Sequence, residues 1–210
     1  MRNKAGIVFI SLGAVLILSA LLLLLYNRHE ADLAGKEAEI LLSDVESVIG
    51  SQTTPDGSGD VTADETETEP TLPPELPVVH LNGYDYVGYV EIPALELKLP
   101  VLASWDYDLL QVAPCRQFGS SRTDDLVIAA HNYVTHFGYL KKLVKGDSVT
   151  FTDMDGIVNT YTVEKTEILE PTNVEAVKNS GCDLVLYTCT IGGKTRVCVF
   201  CNRVQGETIG

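Results

Sequence analysis

Between Ala5 and Tyr26 the chain carries no charged residue, and Leu, Ile, Val, Ala and Gly dominate the stretch. As a helix rising about 1.5 Å per residue it reaches roughly 30 Å, the thickness of a bilayer's hydrocarbon core. The run is long for the apolar segment of a cleaved export signal, and Tyr26-Asn-Arg-His-Glu30 offers no small-x-small cleavage site. An uncleaved anchor is therefore expected over residues 5–26. Arg2 and Lys4 precede it while Glu30 and Asp32 follow, a modest positive-inside bias that keeps residues 1–4 in the cytoplasm. Everything after Asn27 then lies on the outer face of the membrane.

The remainder divides by composition. Residues 27–50 read as a juxtamembrane helix, with Leu33, Leu41, Val45 and Val48 near i, i+4 spacing and Glu37 interrupting the stripe. A solvated stalk is the expectation, with pairing to a second copy as the other reading. Residues 51–80 hold seven acids, no Lys or Arg, and the run Pro70-Thr-Leu-Pro-Pro-Glu-Leu-Pro77. Such a segment buries too little apolar surface to offset ordering and reads as an extended spacer. Residues 81–210 are the candidate folded domain, with folding expected to begin near Val79. The formal charge of −14 argues against a nonspecific grip on nucleic acid, and most of it sits at the front: residues 1–80 carry 13 acids and 4 Lys or Arg.

From 81 onward the chain is mainly β. The runs 86–92, 97–102, 126–130, 148–151, 157–164, 184–188 and 196–204 are rich in Val, Ile, Tyr and Thr and bounded by Gly, Pro, Asp or Asn. Asp155-Gly156 marks a tight hairpin. Seven or eight short strands suit a closed barrel or a sandwich. Short helices are expected over 107–112, 138–143 and 174–178, the last capped by Asn173. Five cysteines, at 115, 182, 189, 198 and 201, give no paired CxxC knuckles. Cys198 and Cys201 fall on opposite faces of one strand and read as small hydrophobes. No metal site and no cofactor are expected.

Two segments repeat a pattern. Asp125-Leu-Val-Ile-Ala-Ala-His131 and Asp183-Leu-Val-Leu-Tyr-Thr-Cys189 each start with an acid, run through apolar residues and stop at a reactive side chain. Continuous apolar runs suit strands buried in a sheet. If the two lie parallel and adjacent, His131 and Cys189 emerge at one rim, where an imidazolium favours a thiolate and later protonates a leaving amine. Arg196, after the Gly192-Gly193 turn, would stand beside Cys189 on an antiparallel strand and support a substrate oxyanion. Arg203 and His136 are the rivals. Arg203 lies at the far end of the last strand, and His136 is expected to be solvated or to line the cleft.

Leu184-x-Leu-x-Thr-Cys189 with Arg196, and Ala-His131 ending an earlier strand, resemble the signature of sortases, the cysteine transpeptidases of Gram-positive cell surfaces. Gly88-Tyr-Val-Glu-Ile-Pro93, Leu99-Pro-Val-Leu102 and Leu140-Lys-Lys-Leu-Val-Lys-Gly-Asp147 extend the resemblance over roughly 84–204. It implies an eight-stranded β-barrel in which Cys189 is the nucleophile, His131 the general acid and base, and Arg196 the oxyanion support. Thr188, Val174 and Val177 are the implied substrate contacts, with Asp106 and Leu109-Leu110 ambiguous beside them. The implied partners are proteins bearing an LPxTG-like sorting signal, cleaved after its Thr, and an amine acceptor on a peptidoglycan precursor or a pilin lysine. Ala130 stands where many relatives have Gly. No Asp-Pro-aromatic lid motif precedes the barrel and no second span follows Gly210, so pilin polymerisation is the lesser expectation. A thiol peptidase that hydrolyses the acyl-enzyme, or a non-catalytic surface-tethered β-barrel that binds a partner, would also fit the sequence.

Overall fold

A computed structural model describes residues 4–52 and 72–204, so most of the expected spacer lies outside the described residues. Helix α1 runs unbroken over Lys4–Gln52, and among the described residues it is the one helix long and apolar enough to cross a membrane. Its first half exposes its Leu, Ile and Val side chains. From Ala31 onward one face is buried, through Ala31, Ala34, Ala38, Leu41, Leu42, Val45 and Ile49.

This corrects the expectation of a solvated or self-paired stalk. The second half of α1 packs on the barrel, and Leu33 of the anticipated stripe is 52% exposed. Three alanines hardly register in a hydrophobic pattern, yet they bring the helix backbone close to its neighbour. Polar ties fix the docking: the Thr135 hydroxyl donates to the Ala31 carbonyl at 2.8 Å, Asn82 donates to Asp44 at 2.6 Å, and Lys98 pairs with Glu46 at 2.5 Å.

The strands are β1 (Val79–Leu81), β2 (Tyr84–Ile92), β3 (Leu97–Leu102), β4 (Cys115–Phe118), β5 (Leu126–Ala129), β6 (Ser148–Asp153), β7 (Val158–Leu169), β8 (Leu184–Cys189) and β9 (Arg196–Arg203). Their order is β1-β2-β3-β4-β5-β8-β9-β7-β6, and β6 returns to β2. Eight strands therefore close a mixed barrel, with β1 an added hairpin arm. Side chains from alternate positions fill it, among them Val90, Ile92, Leu126, Ile128, Phe151, Tyr161, Leu184, Leu186 and Val199. Cys201 belongs to this interior, whereas Cys198 packs outside it with Val127, Val185 and Phe200. Short helices α2 (Leu109–Val112) and α3 (Val174–Lys178) lie on connections. The Asn173 side chain makes no capping bond.

Closure depends on Gly88, which pairs with Val101 of β3 and Asp153 of β6 beside a bulge. Its φ is +146°, and a Cβ there would sit 1.9 Å from the Thr152 carbonyl oxygen. Both the backbone conformation and the close approach require glycine. Gly88→Ala is expected to cost on the order of 3 kcal/mol of stability, read as a lowered urea midpoint with an unchanged slope in detergent-solubilised protein.

Candidate active site

Strands β5 and β8 are parallel neighbours in the register Leu126↔Leu184 to Ala129↔Tyr187. The acids that open the two segments anchor their starts. Asp125 accepts the Ser120 N–H at 2.9 Å, and Asp183 accepts the Arg203 N–H at 2.6 Å. At the other end, the Ala130 N–H donates to the Tyr187 carbonyl and the Thr188 hydroxyl donates to the Ala130 carbonyl at 2.8 Å. His131 and Cys189 therefore leave the sheet at the same level, on strands about 4.8 Å apart.

On the other side of β8, Cys189 pairs directly with Arg196 of antiparallel β9. The connecting turn places Gly192 and Gly193 at φ of +84° and +71°. The Arg196 Nη1 donates to the Gly193 carbonyl at 3.0 Å and to the Thr195 carbonyl at 3.1 Å, so the turn that reverses the chain also holds the guanidinium. Cys189 and Arg196 share a cavity of about 320 Å³ with Trp105, Tyr107, Leu110, Val174, Val177 and Tyr187. Its wall is more apolar than polar, and Gln117, Glu170 and Asn173 also line it.

Thr188 is not brought to this cavity. It is buried, and its hydroxyl is held by Ala130. Adjacent residues of a strand face opposite sides, so the neighbour of Cys189 that shares its face is Tyr187, two positions back. Sequence reasoning passed over Tyr187 and Trp105; period-two counting from Cys189 finds the first. Asp106 accepts the Asp108 N–H within its own turn at 2.8 Å. Arg203 sits at the opposite end of β9, bound to Asp124 at 2.6 Å and to Asn159, the Ser121 carbonyl and the Tyr161 ring. Of the two arginines, Arg196 alone borders Cys189.

The His131 ring stacks on Tyr133 with centroids 4.0 Å apart and an interplanar angle of 22°. It makes no hydrogen bond to Cys189, and it lines a second cavity of about 680 Å³ formed with Asn27, Arg28 and Glu30 of α1. Burial draws its pKa below the ordinary 6.5, opposed by the charge of Glu30 and by Asn132. At neutral pH the imidazole is thus mainly the neutral base.

His136 corrects the expectation of a solvated or cleft-lining residue. It is 1% exposed, covered by α1 at Ala34, and neither ring nitrogen makes a hydrogen bond of good geometry. Burial pushes its pKa down to about 4, the nearby His131 pushes the same way, and the Ala34 carbonyl partly opposes both. Above pH 6.5 the ring is neutral folded or unfolded. As pH falls from 6.5 to about 4 the unfolded chain takes up a proton that the folded chain refuses, so stability drops, by on the order of 3 kcal/mol at pH 4. His136→Leu is expected to flatten that decline, measured as unfolding free energy against pH.

All five cysteines are free thiols. Burial raises Cys115 and Cys201 to about 12 and Cys198 to about 11, and it also raises Cys182. No group of three or more His, Cys, Asp or Glu among the described residues is arranged to hold a metal ion.

The sortase domain family matches residues 90–204, more than half of the chain. The protein belongs to the sortase family. Solved sortases share its architecture. Sortase C of Streptococcus pneumoniae, described in connection with catalysis and pilin substrate specificity, aligns at 28% identity and a TM-score of 0.50, over 57% of this chain and 69% of its own. Sortase C1 of Streptococcus agalactiae gives 26% and 0.52 over 61% and 72%, and sortase C1 of Streptococcus suis 28% and 0.51 over 59% and 75%. No curated protein sequence matches significantly. In this sortase the matched region begins within β2 and ends just after β9, so it takes in most of the closed barrel.

Proposed function

We propose that this sortase is a membrane-anchored transpeptidase. It cleaves an LPxTG-like sorting signal through a Cys189 thioacyl-enzyme and passes the protein to an amine acceptor for attachment to the cell wall. Residues 5–26 anchor it with the N-terminus in the cytoplasm, residues 27–50 and 51–80 join the anchor to the catalytic unit, and residues 81–210 act on the extracellular face.

The observation that carries the reading is the register: Cys189 pairs with Arg196 of β9, and β5, which leads into His131, runs parallel beside β8. The thiolate attacks the carbonyl carbon after the signal's Thr, forming a C–S bond and an oxyanion that the Arg196 guanidinium stabilises. Nη1 is held by the turn, and Nη2 and Nε have no protein acceptor among the described residues, which leaves them for substrate. Collapse expels the amine, which takes from His131 the proton that the imidazole received from the Cys189 thiol. The apolar wall with Val174 and Val177 suits the signal's Leu and Pro. The Streptococcus pneumoniae sortase is described with pilin substrate specificity, which supports a pilin as an acceptor beside a peptidoglycan amine.

The test incubates the full chain in detergent with a panel of LPxTG-like peptides, with and without glycine-terminated or lysine-bearing acceptors, followed by mass spectrometry. An adduct matching the peptide's N-terminal half that resolves to an amide only with acceptor is the expected result. Hydrolysis that ignores added amine makes the protein a thiol peptidase instead, and no adduct with any peptide removes the transpeptidase reading.

A further inference from the structure

His131 belongs to the wall of one cavity and Cys189 to the wall of another. The first lies between the last turn before α1 docks and the loop after β5, and its lining includes Asn27, Arg28, Glu30, His131 and Asn132. At about 680 Å³ it is twice the volume of the Cys189 groove. Because β5 and β8 are adjacent and parallel, the backbones at His131 and Cys189 stand about one strand spacing apart. An acyl group held in the groove and a nucleophile held in the cavity therefore approach Cys189 from different sides. A two-substrate transfer requires that separation.

The polar groups identify the nucleophile. The Glu30 carboxylate lies close enough to His131 to act on its charge, and one of its oxygens accepts the Tyr26 hydroxyl at 3.2 Å. The Nδ1 of His131 is buried without a hydrogen-bond partner. A carboxylate beside a neutral base suits a primary ammonium group, which needs one partner for its charge and another to take its proton. Arg28 is the cation in the same wall and accommodates an acidic group carried by the same acceptor.

We propose that this cavity, built jointly by α1 and the loop after His131, binds the amine acceptor, with Glu30 holding its ammonium. This site rests on the transpeptidase reading above. The bound ammonium loses one proton to water, and the free amine attacks the thioester carbon. A C–N bond forms, the second N–H proton goes to His131, and the C–S bond breaks with its electron pair on sulfur. The products are an amide, a Cys189 thiolate and an imidazolium, the pair that begins the next cycle.

The experiment uses the full chain in detergent and two small nucleophiles of similar size, methylamine, which is cationic at neutral pH, and hydroxylamine, which is not. The acyl-enzyme is formed first and quantified by mass. Glu30→Gln is expected to raise about tenfold the methylamine concentration needed for half-maximal aminolysis, the effect of one charge-assisted contact. Hydroxylamine is expected to show no such shift. Glu39→Gln, on the exposed side of α1, is the control and should match wild type with both. Acyl-enzyme that forms but shows equal shifts for the two nucleophiles, or none, overturns the acceptor site alone. Absence of acyl-enzyme in the wild type overturns the transpeptidase reading and this site with it.

Discussion

Cys189→Ala is expected to abolish the acyl-enzyme adduct and to lower transfer by on the order of 10⁴ or more, because removing the nucleophile of a concerted group removes the covalent route altogether. The change should leave the barrel intact. Cys189 is only half-buried at the mouth of a cavity, and trimming one sulfur there falls within the small cost of ordinary peripheral substitutions, about 1 kcal/mol or less. Selective labelling gives an independent readout. Cys115, Cys198 and Cys201 are buried with pKa values raised to about 12, 11 and 12, and Cys182 is raised as well, so all four resist a thiolate-directed reagent. Iodoacetamide should therefore modify Cys189 first, and single labelling should remove the activity that Cys189→Ala removes. Labelling spread evenly over several thiols, or transfer that survives Cys189→Ala, would assign the chemistry elsewhere.

Much of the strand pattern is legible in advance, because a barrel writes itself into sequence as alternation. The doubly buried runs at β5 and β8 announce central parallel strands, and the Gly192-Gly193 turn announces the return that sets Arg196 beside Cys189. The missed elements carry no such signal. Strand β4 reads Cys-Arg-Gln-Phe and is held by pairing with β3 and β5 rather than by pattern, and β1 is only three residues, too short for alternation to show. Strand β7 continues through a bulge at Val163/Lys165 to Leu169, beyond the expected end at 164. The bulge shifts the pairing register there, and sequence alternation does not reveal that β7 continues past it.

The docking of α1 is the larger feature that the sequence hides. Its docking face is made of Ala31, Ala34 and Ala38 at the end that meets the histidine loop, residues that add little hydrophobicity but permit close approach. Gly35 belongs to the same contact, since a Cβ there would lie 2.8 Å from the Thr135 methyl. Once α1 is placed, the burial of His136 follows, as does the joint cavity around His131. Both depend on a contact between segments about a hundred residues apart, as in the Thr135 to Ala31 bond, which local periodicity does not encode.

His131→Gln is expected to slow transfer by roughly 10²- to 10⁴-fold, the usual worth of a positioned acid and base, and the loss should depend on the leaving group. An amide nitrogen cannot leave without a proton, whereas an activated ester expels a stable anion. Acylation by a peptide substrate should therefore collapse in the variant while acylation by an activated ester of the same peptide falls much less. The pH profile separates this role from simple packing. Burial sets the His131 pKa below 6.5, so in the wild type the neutral base is available at pH 7 and is lost as pH falls through that lowered value. Aminolysis of preformed acyl-enzyme should decline along that acidic limb, and the limb should be missing in His131→Gln. Glu30 opposes the downward shift, so Glu30→Gln should move the limb to still lower pH. A variant that lost rate equally with both leaving groups and kept the limb would show His131 to be a packing residue, leaving Cys189 to be served by another base.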